Sequence, residues 1–271
     1  MKSKGIILFA SIIFLLGFKQ DRSPELLKNE AFKRGEYLEF KASFGFFPVG
    51  KGTWKINENT IQIHDRPSFQ VDVKGWTSGF IGFVAPVLDH WKSYVDTSTF
   101  ITHIAQRDLT EGKYKKIDIT EFHMKDSIIK VKDFDFEKNR YKELKEYKME
   151  KLTRGMISGF LYMRTMDFSQ IQIGDTVKFD AFLDDSFYDF EVICYKREPI
   201  KTKAGTFKSV VFRPVMPDNS IFEGEDAILA WISDDENKIP LKVEAEMFIG
   251  HAGVELSHYE GLKNKPAIID D

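Results

Sequence analysis

Three observations predict a mainly β chain, folded as a large curled antiparallel sheet (a half-barrel or open barrel) with one packed central helix. Past residue 30, apolar residues recur with period two. Phenylalanine reaches 25 residues, against 9 tyrosines and 4 tryptophans, a weight that suits sheet faces and large apolar interiors. Only residues 155–168 carry apolar side chains at convincing helical spacing.

Each element follows from its local pattern. In EYLEFKASFGF, Leu38, Phe40, Ala42, Phe44 and Phe46 alternate with Glu39, Lys41, Ser43 and Gly45, as in a half-buried strand. GKGTWKIN places Gly52, Trp54 and Ile56 on one face, and PSFQVDVKG does the same for Phe69, Val71 and Val73. Gly50 and Gly52 fit a bend or bulge between strands. Further strands are expected at 88–96, 100–107, 115–124 and 127–134, the last two joined by a Lys125-Asp126 turn. Residues 135–154 are rich in charge and read as a connection or an exposed hairpin, the best candidate for a boundary between two sub-regions. In GMISGFLYMRTMDF, Ile157, Phe160, Leu161 and Arg164 form a helical stripe with Met156 and Met163 beside it, the composition of a core-facing helix. Hairpins then turn at Asp184-Asp185-Ser186, at Ala204-Gly205 and at Asp234–Lys238, before a last strand in AGVELSHYEGL. At least ten strands and a single helix are expected in one domain over residues 34–262, after a linker at 21–33 and before a polar tail at 263–271.

The N-terminus reads as an export signal over residues 1–20. Lys2 and Lys4 precede the 14-residue apolar run Gly5–Phe18, which is short for a membrane span of roughly 20 residues. No small-x-small site follows it, so an uncleaved tether is the alternative, and no cysteine follows it as a lipoprotein would require. The expected location is the periplasm. The net charge is -3, and without the three lysines of residues 1–20 it falls to -6, which argues against a nucleic-acid partner. Cys194 is the one cysteine, so no intramolecular disulfide forms; between apolar neighbours on a strand it reads as a small core residue.

Catalytic and metal motifs are missing. The six histidines (64, 90, 103, 123, 251 and 258) include no HExxH, and no serine sits in a GxSxG elbow. His64 is expected on a solvent face. His103 and His123 could face each other across paired strands, but no third or fourth metal ligand stands at a recognisable spacing. The acidic turn at Asp234, Asp235 and Glu236 lacks the spaced oxygens of a calcium loop. In GFIGFVAPVLDHW, alternation sends Asp89 and His90 to opposite faces, leaving an apolar loop over Gly79–Val87 that feeds a strand from Leu88. No cofactor and no metal is expected.

The helix MISGFLYMR, then IQIGDTVKFDAFLDD, IKTKAGTFKSVVFRPV and AWISDDENKIPLKVEAEMFIG, resemble in that order the DUF3108 family of exported bacterial proteins, as does the opening GEYLEFKASFGFFPVGKGTW. The resemblance spans about residues 34–261 and implies an envelope location and a β-rich fold, with no catalytic residue to carry over. At fold level the expected sheet around a helix is also similar to the LolA-like half-barrel of envelope lipoprotein carriers.

What remains is an aromatic surplus. Phe44, Phe46, Phe47, Phe80, Phe83 and Trp91 exceed what one helix covers. Either sheet curvature packs them as a second layer, or they bound an apolar cavity. On the cavity reading, Phe44, Phe46, Phe80, Phe83, Trp91 and Phe160 are the candidate ligand-binding residues. The expected function is non-catalytic binding of an apolar, lipid-like ligand or envelope component. The alternative is a structural or assembly factor acting on an envelope protein partner; a hydrolase on envelope glycans or lipids would need a constellation the sequence lacks. Membrane contact is expected only through the N-terminal apolar segment, if it stays attached.

Overall fold

The computed structural model describes residues 24–215, 227–247 and 250–269. The export signal, the first linker residues and the last two tail residues lie outside the described residues.

Alternating strands build a single mostly antiparallel sheet. The first half runs through β1 (Tyr37–Phe44), β2 (Phe47–Ile56), the short β3 (Ile61–Ile63), β4 (Arg66–Thr77), β5 (Val87–Asp96), β6 (Thr102–Glu111), β7 (Tyr114–His123) and β8 (Ile128–Asp135). Two short strands, β9 (Arg140–Tyr141) and β10 (Lys145–Lys148), both pair with β8: the charged stretch forms an exposed hairpin at β8–β9, as one of its two expected readings had it, and then extends the sheet edge. The second half holds β11 (Thr153–Arg154), β12 (Thr176–Leu183), β13 (Ser186–Thr202), β14 (Gly205–Pro214), β15 (Ile228–Ser233), β16 (Pro240–Met247) and β17 (Gly250–Glu260). β17 returns to pair with β1, joining the halves. Among the described residues there are seventeen strands, in keeping with the expected ten or more; several are too short to show alternation.

The ends of this sheet, β10 and β11, are consecutive in the chain, yet no ladder joins them among the described residues. The sheet therefore curls into an open barrel with a seam, and side chains fill the seam. The Phe182 ring meets Tyr147 and Phe122 at centroid distances of 5.1 and 6.4 Å. The two-residue turn Asp184-Asp185, with positive φ at both residues as tight hairpins require, projects carboxylates across the gap. Asp184 accepts from Arg107 at 2.8 Å and Lys116 at 2.5 Å, and Asp185 accepts from Lys145 at 2.5 Å.

The expected helix, α2 (Met156–Arg164), lies inside the curl. Its stripe packs as the spacing predicts: Leu161 and Arg164 are fully buried, and Ile157 and Phe160 sit against the main core. The opposite side faces a second cluster that includes Phe179, Cys194 and Phe212. Cys194 is buried, as expected of a small core residue, and burial pushes its thiol pKa up. Gly159 lets the helix lie directly on β12, since a Cβ there would sit 2.3 Å from the Phe179 ring.

Polar bonds fix both helix ends. The Gly155 N–H donates to Thr102 Oγ1 at 2.8 Å, and the Thr102 and Ser158 hydroxyls lie 2.6 Å apart. Arg164 donates to both carboxylate oxygens of Glu36 at 2.6 and 2.7 Å and to the Asn237 carbonyl, between the rings of Phe32 and Phe160. Residues 24–33, read from sequence as a linker, carry Ala31 and Phe32 into the main core, where Phe32 meets Phe69 and Phe100 edge-on. We call this the lower end. It holds the β3–β4, β5–β6 and β7–β8 turns; the upper end holds the β1–β2 and β6–β7 turns and a short helix, α1 (Gly79–Val84). Among the described residues no helix is long and apolar enough to cross a membrane.

Candidate functional site

Three rows of inward side chains decide what the upper interior contains. The lowest row is large: Trp54 stands opposite Val73, which stands opposite Trp91. One step up, Phe40, Gly52, Gly75 and Asp89 face one another across β1, β2, β4 and β5. Above them come Ala42, Gly50 and Thr77. Two of four positions in the middle row carry no side chain, so the wall recedes and leaves an open apolar cavity of about 440 Å3. Val243 and Val254 close the far wall from β16 and β17. This volume lies in the range of small-molecule sites.

The glycines have different reasons. Val49 is an extra residue in β2, because Ala42 pairs with Gly50 while Ser43 pairs with Pro48. At this bulge β2 and β4 approach so closely that a Cβ on Gly50 would fall 2.2 Å from the Trp76 carbonyl oxygen. Gly75 is under no such constraint: a Cβ there meets nothing within 4 Å. Its missing side chain is simply space.

The floor is braced from below. The Trp54 indole meets Phe160 of α2 edge-on at 5.5 Å. Trp91 lies under the Arg107 guanidinium, 5.1 Å from the ring centre, and Arg107 is held by Asp118 at 2.7 Å and by Asp184. Among the described residues Asp89 is the one carboxylate in the wall. It accepts the Thr110 N–H at 3.2 Å, and burial, with Glu111 nearby, pushes its pKa up.

The aromatics named from sequence divide into two groups. Trp91 forms wall and floor, and Phe160 supports the floor through Trp54. Phe44 is half-buried, its ring packed over Gly250. Phe46, Phe80 and Phe83 stand at the mouth with 96%, 77% and 87% of their surface exposed, alongside Phe47. The segment expected as an apolar loop is the helix α1, fixed by the Thr77 hydroxyl, which donates to the Ala85 carbonyl and accepts the Val87 N–H. Sequence reasoning missed Phe40, Trp54 and Val73 as cavity walls; the signal was the glycines falling in register on the inward face of β2 and β4.

Other candidate groups resolve differently. Asp89 and His90 do point apart: His90 Nε2 meets Asp72 Oδ1 at 2.7 Å on the outer face, where Asn57 and Gln70 also bind that carboxylate. The Asp235 carboxylate accepts the backbone N–H groups of Asn237 and Lys238 and so builds its own turn. At the lower end, His64 joins His103 and His123, with ring centroids 5.5 and 5.2 Å away, beside a more polar cavity of about 570 Å3. The β3–β4 turn, with positive φ at His64 and Asp65, swings the ring toward the others. Among the described residues no three His, Cys, Asp or Glu side chains converge as metal ligands do.

An open, mostly antiparallel barrel around a helix, with an apolar hollow at one end, defines the class of protein. The family model for DUF3108, described as protein of unknown function, matches residues 39–257, and the chain belongs to that family. Among solved structures, a β-barrel-like protein of the DUF1849 family from Brucella abortus is similar, at TM-score 0.55 and 10% identity, covering 89% of this chain and 100% of its own. That likeness shows the fold alone. A hypothetical protein from Chlamydia trachomatis matches at TM-score 0.38 and 10% identity, over 88% of this chain and 93% of its own, and carries no argument at that score. No curated protein matches the chain.

Proposed function

We propose that this protein binds an apolar, lipid-like molecule in the upper cavity, without catalysis, as a component of the cell envelope. The observation that carries the reading is the middle inward row, where Gly52 and Gly75 leave an apolar hollow between two tryptophans and an aromatic-lined mouth. An interior that needed only to be stable would fill that row, because each buried methylene adds roughly 0.8 kcal/mol. The envelope location rests on the basic and apolar pattern of residues 2–18.

Gly75→Phe tests the ligand reading. The added ring enters open space, so the fold should persist, as judged by circular dichroism and the unfolding midpoint. Titration with a fluorescent polyene fatty acid should show saturable binding to the natural protein and at least about a tenfold loss in the variant. Equal binding by both proteins would refute the cavity as the site. Cell fractionation tests location: recovery with the cytoplasm would sink that part.

A further inference from the structure

The cavity explains why the upper interior is hollow, but not why its rim is so apolar outside. Phe46 lies in the β1–β2 turn and Phe47 opens β2, while Phe80, Phe83 and Val84 occupy α1, with Leu88 just beyond. All six are exposed, and Phe46 and Phe83 almost completely so. A protein surface rarely collects such side chains without a partner. The two turns are neighbours, since the Ser78 N–H donates to the Val49 carbonyl at 3.0 Å.

We propose that this end of the molecule docks on a lipid bilayer, with the Phe46-Phe47 segment and α1 inserting at the headgroup boundary. Three observations select a bilayer over a protein partner or a second copy. The aromatics sit at a strand turn and on a short helix that neighbour each other, with 73–96% of each residue's surface exposed. The first residues inward from the tips, Val49, Thr77 and Val87, already line the cavity, so an acyl chain passing the tips reaches Trp54 and Trp91 along an apolar path. Behind the tips stand exposed Lys51, Lys74, Lys113 and Lys115, which form no ion pair among the described residues and suit anionic headgroups. Carboxylates at this end include Glu111, opposite Val87, and Glu246, opposite His251. Pro24 lies at the lower end, beside His64 and Lys125. A chain tethered through its N-terminus would thus present the aromatic tips at the other end.

The inference extends the cavity reading but does not require the cavity to be occupied. Because Cys194 is buried, a cysteine placed at a tip is the one thiol open to a polarity-sensitive fluorophore. Full-length Phe83→Cys and, as the opposite-end control, Leu26→Cys are labelled and mixed with vesicles of phosphatidylcholine with or without phosphatidylglycerol. The label at 83 should brighten and be quenched by acyl-chain nitroxides, more strongly with the anionic lipid, while the label at 26 should not. Adding Phe46→Ser, Phe47→Ser and Phe80→Ser should weaken the signal at 83 at least about tenfold. A silent label at 83, equal quenching at 26, or a dimer dispersed by the same serines would overturn the proposal. Gly75→Phe separates the two readings: it should still dock while failing to bind the fatty acid. If the natural protein docks and binds no fatty acid, the cavity reading alone falls.

Discussion

The lower and upper parts of the interior are built from the same strands, and only one of them is filled. Below, β1, β2, β4 and β5 send inward Leu38, Ile56, Val71 and Val95, each with no exposed surface, and Phe32 plugs the end. Above, the same strands send inward Ala42, Gly50, Gly52, Gly75 and Asp89. The strands pair through both parts, each part interrupted by a bulge (Val49 above, Tyr94/Val95 below), so backbone pairing does not account for the difference. Side-chain volume at inward positions does. The lower part is where the sheet and helix are fixed to each other; the upper part is spared from that work and left open.

The sharpest way to break the filled part is to remove the charge at its centre. Arg164→Met leaves the Glu36 carboxylate buried with no cation, and this should cost about 3–5 kcal/mol in urea unfolding. Changing Glu36 to Met as well removes the orphaned charge, and the double variant should recover most of the loss. If the single variant unfolds at the natural urea concentration, the pair does not hold the helix end.

A single methyl group compares the two parts directly. At Gly159 the new Cβ would strike the Phe179 ring, so Gly159→Ala should lose about 1–3 kcal/mol, despite alanine's better helix propensity. At Gly75 nothing stands within reach, and Gly75→Ala should gain roughly 0.4–1 kcal/mol by restricting the unfolded chain. The two effects have opposite signs. Equal losses at both sites would mean that the upper cavity closes in solution.

How far the sequence disclosed this contrast depended on the range of the interactions. Strand alternation and the stripe of Ile157, Phe160, Leu161 and Arg164 are local, and they correctly imply an open sheet around one helix. The Glu36–Arg164 pair spans 128 residues, and nothing near either residue announces it. The β3–β4 turn likewise carries His64 to His103 and His123, which alternation within a three-residue strand does not reveal. Aromatic content pointed to segments of the upper end, where Phe46, Phe80 and Phe83 are exposed. Phe46, Phe80 and Phe83 are apolar enough for a wall, yet they are exposed and absent from the cavity lining, while the wall depends on where side chains are missing.

Acidification gives the smallest effects, and again the two ends should respond with opposite sign. At the lower end, partial burial and the neighbouring His103 and His123 hold the His64 pKa below its ordinary value, with Glu121 and Asp65 opposing them weakly. The unfolded chain then takes up the proton first, so stability is full above about pH 6.5 and declines as the pH falls below it. His64→Gln should flatten that decline. At the upper end, burial and Glu111 raise the Asp89 pKa, so in the window above about pH 3.9 the folded chain binds the extra proton. Stability from this group therefore rises as the pH falls through that window, and is lower at neutral pH. Asp89→Asn should stabilise the protein at pH 7 and abolish this gain on acidification. Unfolding midpoints for both variants between pH 7.5 and 4, about the span of the two titrations, measure both signs in one series. If Asp89→Asn lowers stability at pH 7, the carboxylate is not strained by the apolar wall, and the upper cavity is wetter than its lining implies.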